Sequence, residues 1–113
     1  MNVFDERNFD AKLYEAAVRW MWRRYQMTLL PVVLIVFGMA LAPELTFEEV
    51  LEAWCSEGCK LFDFPAEPVP RMRSHLCEHL LRKGHDIPGG LGAWFKSRAE
   101  EVRAFADGVS SAA

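Results

Sequence analysis

Two cysteines and two histidines in the middle of the chain are the residues best suited to chemistry. Cys55, Cys59, His75 and His79 fall at a spacing of C-x3-C-x15-H-x3-H. Two thiolates and two imidazoles are donors that satisfy tetrahedral Zn²⁺. His75 and His79 stand four apart in a predicted helix, so both rings project from one face. Zinc is therefore the one cofactor these residues suggest, and outside that set none is expected.

The spacing resembles that of two-cysteine, two-histidine zinc fingers, across 25 residues. The resemblance implies a zinc-stabilised module that binds nucleic acid or protein, with Phe62 and Met72 as its small apolar core. The chain departs from the pattern in three ways. Cys55 falls at a helix end instead of in a hairpin, the Cys–His gap is long and holds Pro65, Pro68 and Pro70, and Cys77 has no place in it. The competing reading makes the cysteines small core residues, as free cysteines usually are, and the histidines surface groups near helix ends. The segment His75-Leu76-Cys77-Glu78-His79 also resembles the H-x-x-E-H signature of inverzincin metallopeptidases, which implies His75 and His79 on zinc and Glu78 as general base. That family takes a third ligand from a distant acid on a much larger scaffold, and only Glu100 and Glu101 are available downstream.

Other catalytic patterns fail on context. GHDIPGGLG (84–92) has four glycines but no Lys-Ser/Thr, and it follows a helix instead of a strand, so it is a turn and not a phosphate loop. Cys77 and His75 diverge on one helix and cannot form a nucleophile–base pair. Helices predicted over 46–57 and 71–83 are too far apart for a helix-turn-helix. The chain is expected not to be an enzyme.

The elements that must position these residues are mainly helical, and 113 residues make one domain over 1–113 with a single core. Residues 8–29 carry two apolar stripes at helical spacing: Phe9, Leu13, Ala16, Trp20 and Met27, and Tyr14, Val18, Met21, Tyr25 and Leu29. Pro31 suits the first turn of a second helix, about 31–41, which stops before Pro43. A strand is the alternative there, since Val32, Val33, Ile35 and Val36 are β-branched, and its only partner would be a short extended segment at 60–64 (KLFDF). Thr46 and Glu49 form a capping box that opens a third helix, with Gly58 as its C′ residue. FPAEPVP (64–70) reads as a stiff connector. A helix over 71–83 buries Met72, Leu76, Leu80 and Leu81. A last helix over 93–106 buries Phe95, Val102 and Ala106, and 108–113 is expected to fray. The expected fold class is a compact mainly α domain of four to five helices around the central apolar helix.

That central helix raises a second architecture. Gln26–Pro43 (QMTLLPVVLIVFGMALAP) carries no charge over eighteen residues. With Arg19, Arg23, Arg24, Trp20, Trp22 and Tyr25 before it and acids after it, a single membrane span over about 26–43 is the alternative to a buried core helix. The stretch is short for a bilayer, which needs about 20 apolar residues, and Pro31 and Gly38 interrupt it. The buried helix is the favoured reading.

Charge and cysteine usage bound the partners. The net charge is −3, and residues 44–69 hold seven acids against Lys60 alone, so direct nucleic-acid binding lacks the usual basic excess. Three cysteines without a disulfide framework, and no secretion signal at the N-terminus, point to the cytoplasm. On the first helix, Glu15, Arg19, Trp22 and Gln26 fall on one line with Arg23 beside it. Tryptophan among arginines is the composition of interface hot spots. A neighbouring helix or a second copy of the chain, in a homo-oligomer, would equally cover Trp22. Glu44, Glu48, Glu49, Glu52 and Glu57 form a second candidate surface suited to a basic partner. The expectation is a small interaction protein, an accessory inhibitor or regulator that occupies a protein or nucleoprotein partner. Its expected partner-binding residues are Arg19, Trp22, Arg23, Glu48, Glu49 and Glu52.

Overall fold

The computed structural model describes the backbone of residues 3–112 and the side chains of 3–108. A 3-10 turn at Glu6–Asn8 leads into α1 (Ala11–Tyr25) and α2 (Leu30–Leu41). α3 (Phe47–Ala53) continues through a π-helical turn, Trp54–Gly58, into a final short turn, Cys59–Leu61. α4 (Val69–Arg82) and α5 (Leu91–Ala112) complete the chain. No strand occurs among the described residues, so neither β alternative is realised.

α2 is the hub of the domain. Every residue from Pro31 to Ala40 is buried, because the helix is apolar on all sides and α1, α3 and α5 pack around it. Each buried Val, Leu, Ile or Phe contributes roughly 2 kcal/mol of transfer free energy. With no polar side chain of its own, α2 depends on other elements to satisfy its ends. At the C-terminus Arg103 of α5 does so, donating to the Ala40 carbonyl oxygen at 2.6 Å. A helix of 12 residues spans about 18 Å, well short of a bilayer. Among the described residues no helix is long and apolar enough to cross a membrane, and α2 covers only part of the uncharged run 26–43.

The first helix is shorter than its apolar pattern. Gln26 adopts a left-handed conformation (φ 51°) and its N–H bonds back to the carbonyls of Met21 and Trp22, which ends α1 and frees α2 to start in a new direction. Of the two expected stripes, Ala16, Met21 and Met27 are buried, as is Ala17, which belonged to neither. Phe9, Val18 and Leu29 are instead substantially exposed. α1 contacts α2 and α5 from one side only, so a helix apolar on two sides is left with an outer apolar strip.

Downstream, Gly58 does not terminate a helix. It sits in right-handed helical conformation where a Cβ would lie 2.7 Å from Trp54 and 2.9 Å from Phe4. Only glycine admits those two rings, which meet edge to face at 5.5 Å between centroids. The segment expected to be extended at 60–64 begins helical, then turns at Phe62–Asp63, with Asp63 left-handed (φ 58°) and Phe64 N–H donating to Cys59 O. α4 starts inside the proline connector because Pro70 is tolerated in a first helical turn. Met72, Leu76 and Leu80 are buried as expected, but Leu81 faces outward and is 56 % exposed. α5 is longer than its pattern, and its backbone is helical through the span 108–112 expected to fray; Ala113 lies outside the described residues. Phe95 and Val102 are fully buried on α5, whereas Ala106 is half-buried.

Candidate functional site

α1 positions the candidate interaction face. At 100° per residue, Ala11, Glu15, Val18 and Trp22 share one line along the helix, flanked on one side by Lys12, Arg19 and Arg23. All seven are exposed. Trp22 is 54 % exposed and Val18 40 %, so neither a neighbouring helix nor the chain's own loops cover them. Glu15 and Arg19 form an i,i+4 ion pair at 2.9 Å, both side chains more than half exposed. Arg23 makes no ion pair among the described residues. The face thus presents three apolar side chains, Ala11, Val18 and Trp22, beside three cations and one acid.

The other aromatic residues of α1 have a different fate. Trp20 Nε1–H donates to Glu101 Oε1 at 2.9 Å, and the Tyr25 hydroxyl donates to the same oxygen at 2.5 Å. The second oxygen of Glu101 pairs with Arg98 at 2.9 Å. The Arg98 guanidinium lies over the Tyr25 ring at 4.9 Å and the Trp94 ring at 5.3 Å, and His85 meets both rings at 5.7 Å. Burial first, then the bond to the Glu101 carboxylate, pushes the Tyr25 phenol up to about 12. Burial also depresses His85, helped by the charges of Arg98 and Lys83. This cluster ties α1 to α5 and turns Trp20 and Tyr25 inward, which leaves Trp22 as the outward aromatic residue of the helix.

The acidic helix is partly committed to the fold. Glu49 completes the capping box: its carboxylate accepts from Thr46 N–H at 2.9 Å, and Thr46 Oγ1 accepts from Glu49 N–H. Those bonds hold the Glu49 carboxyl below the usual range. Glu48 pairs with Arg73, linking α3 to α4. Glu52 is exposed on the same helix.

The cysteine and histidine residues are partly drawn together, with Glu67 adjoining both Cys55 and His75. Cys59 is buried and its thiol donates to the Cys55 carbonyl oxygen at 3.4 Å, along the helix. Burial, then the neighbouring Cys59 and Glu67, raise the Cys55 thiol to about 11, so it stays protonated at neutral pH. On α4, His75 Nδ1 lies 2.8 Å from a Glu67 carboxylate oxygen. His79 is half-buried, with Nε2 enclosed and without a hydrogen-bond partner among the described residues. Desolvation, then Lys83 and Arg82, depress it. Among the described residues, no three His, Cys, Asp or Glu side chains are gathered so as to hold a metal ion.

Two open grooves adjoin these features. One of about 520 Å³ runs beside the outer face of α1, between Lys12, Glu15 and Arg19 and the Arg103–Asp107 end of α5. The other, about 480 Å³, lies between Leu45–Phe47 and the Gly92–Arg103 stretch of α5. By spacing alone Val18 belongs to an apolar stripe of α1, whereas it is exposed, and Glu101 carries no mark of its role beside Trp20 and Tyr25. The i,i+4 relation of Val18 to Trp22 was the available signal for the first. Nothing local marks the second, since the partners lie far apart in the chain.

The fold defines a mainly α domain of five helices around one hydrophobic cluster among the described residues. No protein-family model, no curated protein and no solved structure matches this chain.

Proposed function

We propose that this chain is a small, non-enzymatic protein–protein interaction protein that works by occupying a macromolecular partner with the outer face of α1, in the manner of an accessory inhibitor or regulator. The observation that carries this reading is Trp22: a tryptophan 54 % exposed, in line with an exposed Val18 and beside Arg19 and Arg23. Trp and Arg dominate interface hot spots because each combines a large contact area with few lost rotamers or several fixed donors. A tryptophan left that accessible is uncommon in a chain that has buried its other three to 5 % or only partial exposure. The three cysteines are free thiols, which supports a reducing, cytoplasmic setting.

The test is a comparison of partners captured from source-cell extract by the parent chain and by Trp22→Ala/Arg23→Ala, quantified by mass spectrometry. Loss of the captured set in the double variant supports the reading. An unchanged set would overturn it.

A further inference from the structure

Resting on the α1 reading above, we infer that the partner segment seated on this face is an acidic helix of another protein, laid along Glu15–Arg23 with its apolar side against Val18 and Trp22. Charge complementarity carries the choice. The chain as a whole is acidic, at −3, yet the outer face of α1 carries Lys12, Arg19 and Arg23 against Glu15, and Arg23 lies outside the groove where Asp10 and Asp107 stand near Lys12 and Arg19. Arg19 is already half-answered by Glu15, whereas Arg23 has no ion pair among the described residues. A carboxylate on the partner therefore gains most opposite Arg23, and a second one competes with Glu15 for Arg19. The shape agrees, because the apolar strip is one helix line wide. Val18 and Trp22 at i and i+4 match the side-chain repeat of a helix packed alongside.

Two other occupants fit less well. A second copy of the chain bound antiparallel through the same face would set Arg23 opposite a Glu15 already taken by Arg19 and would bring the two Arg19 side chains together at the axis, since a two-fold contact repeats one patch on both sides. A lipid surface would need a broad apolar face with several interfacial aromatics. Trp20 and Tyr25 would supply them, but both are turned inward onto Glu101.

The experiment measures fluorescence anisotropy of a labelled glutamate–leucine amphipathic helical peptide, of its lysine-for-glutamate counterpart, and of vesicles containing phosphatidylserine, each against the full chain. The expected result is binding of the acidic peptide alone. Arg19→Glu/Arg23→Glu weakens it about tenfold or more, as expected for charge reversal across an interface, and the reversed chain gains the lysine peptide. Arg19→Gln/Arg23→Gln, which adds no repulsion with Glu15, gives a smaller loss in the same direction and guards against misfolding of the reversed variant. Binding of both peptides alike, of vesicles alone, of neither peptide, or of the acidic peptide regardless of charge would overturn the inference. Failure here with a Trp22-dependent partner still captured leaves the α1 reading standing. Failure of capture removes both.

Discussion

Tyr25 and Glu101, 76 residues apart in the chain, meet at one oxygen: the tyrosine hydroxyl donates to Glu101 Oε1 at 2.5 Å. The same oxygen accepts from Trp20, so one carboxylate fixes the rotation of α1 about its own axis. That rotation decides which aromatic residues of the helix face solvent. Trp22 is exposed on the side of α1 away from this carboxylate and from the buried Ala17 and Met21.

If Glu101 sets that arrangement, its removal weakens the fold and changes the titration of Tyr25. Glu101→Ala is expected to lower the unfolding free energy by about 1–3 kcal/mol, since it leaves two part-buried donors and Arg98 without their acceptor. Glu101→Gln keeps an acceptor but not the charge. The Tyr25 phenol then ionises below its value of about 12, yet still above the ordinary phenol value of 10.0, because burial, the largest cause, remains. Urea denaturation and phenolate absorbance at high pH read the two effects separately.

Trp22 and Trp54 give opposite results on truncation. Trp54 is fully buried and touches Phe4, Phe62 and Phe64, so Trp54→Ala costs about 3–5 kcal/mol. Trp22→Ala changes stability by less than about 0.5 kcal/mol, as for surface positions generally. A Trp22→Ala chain that melts well below the parent would show that the residue belongs to the core and not to an interface.

Gly58→Ala tests the packing of the π-helical turn. The added methyl would lie against the Trp54 and Phe4 rings, and overpacking of this kind costs about 1–3 kcal/mol. Gly84, with φ +84° and open space around it, serves as a control of another kind. There alanine is opposed by backbone conformation alone, at about 1 kcal/mol. Equal stability of Gly58→Ala and the parent chain would contradict the close approach of those rings.

Acidification destabilises the protein through two histidines. His79 and His85 are both depressed below 6.5 in the fold, chiefly by burial, so the unfolded chain binds protons that the native state resists. Their contribution is present above pH 6.5 and is lost as pH falls through the native values. The melting temperature is expected to drop between pH 7.5 and 5.5, above the range in which carboxylates titrate. His79→Phe and His85→Phe should each flatten that slope. An unchanged slope in both would remove the histidines as its cause.

Several elements were legible in the residues alone because their signals are local. The unbroken apolar run specified a buried central helix, Thr46 and Glu49 specified a capped start, and Met72, Leu76 and Leu80 specified one face of α4. The class of fold and most of its core follow from period and capping chemistry, which act over one or two turns. What tertiary structure decided was orientation. Val18 and Leu81 look like core by spacing but lie outside, because α1 and α4 are covered from one side only. Gly58 looks like a helix stop but is a contact point for two rings, Trp54 from the preceding turn and Phe4 from the far N-terminal segment. Cys55, Cys59, His75 and His79 have a metal-like spacing along the chain, and the fold sets Glu67 beside both Cys55 and His75, while the Cys59 thiol bonds along its own helix and His79 Nε2 is enclosed without a partner among the described residues. Spacing along a chain sets which side chains share a helix face; which faces meet depends on how distant segments pack, and here Glu101 carries that information for α1.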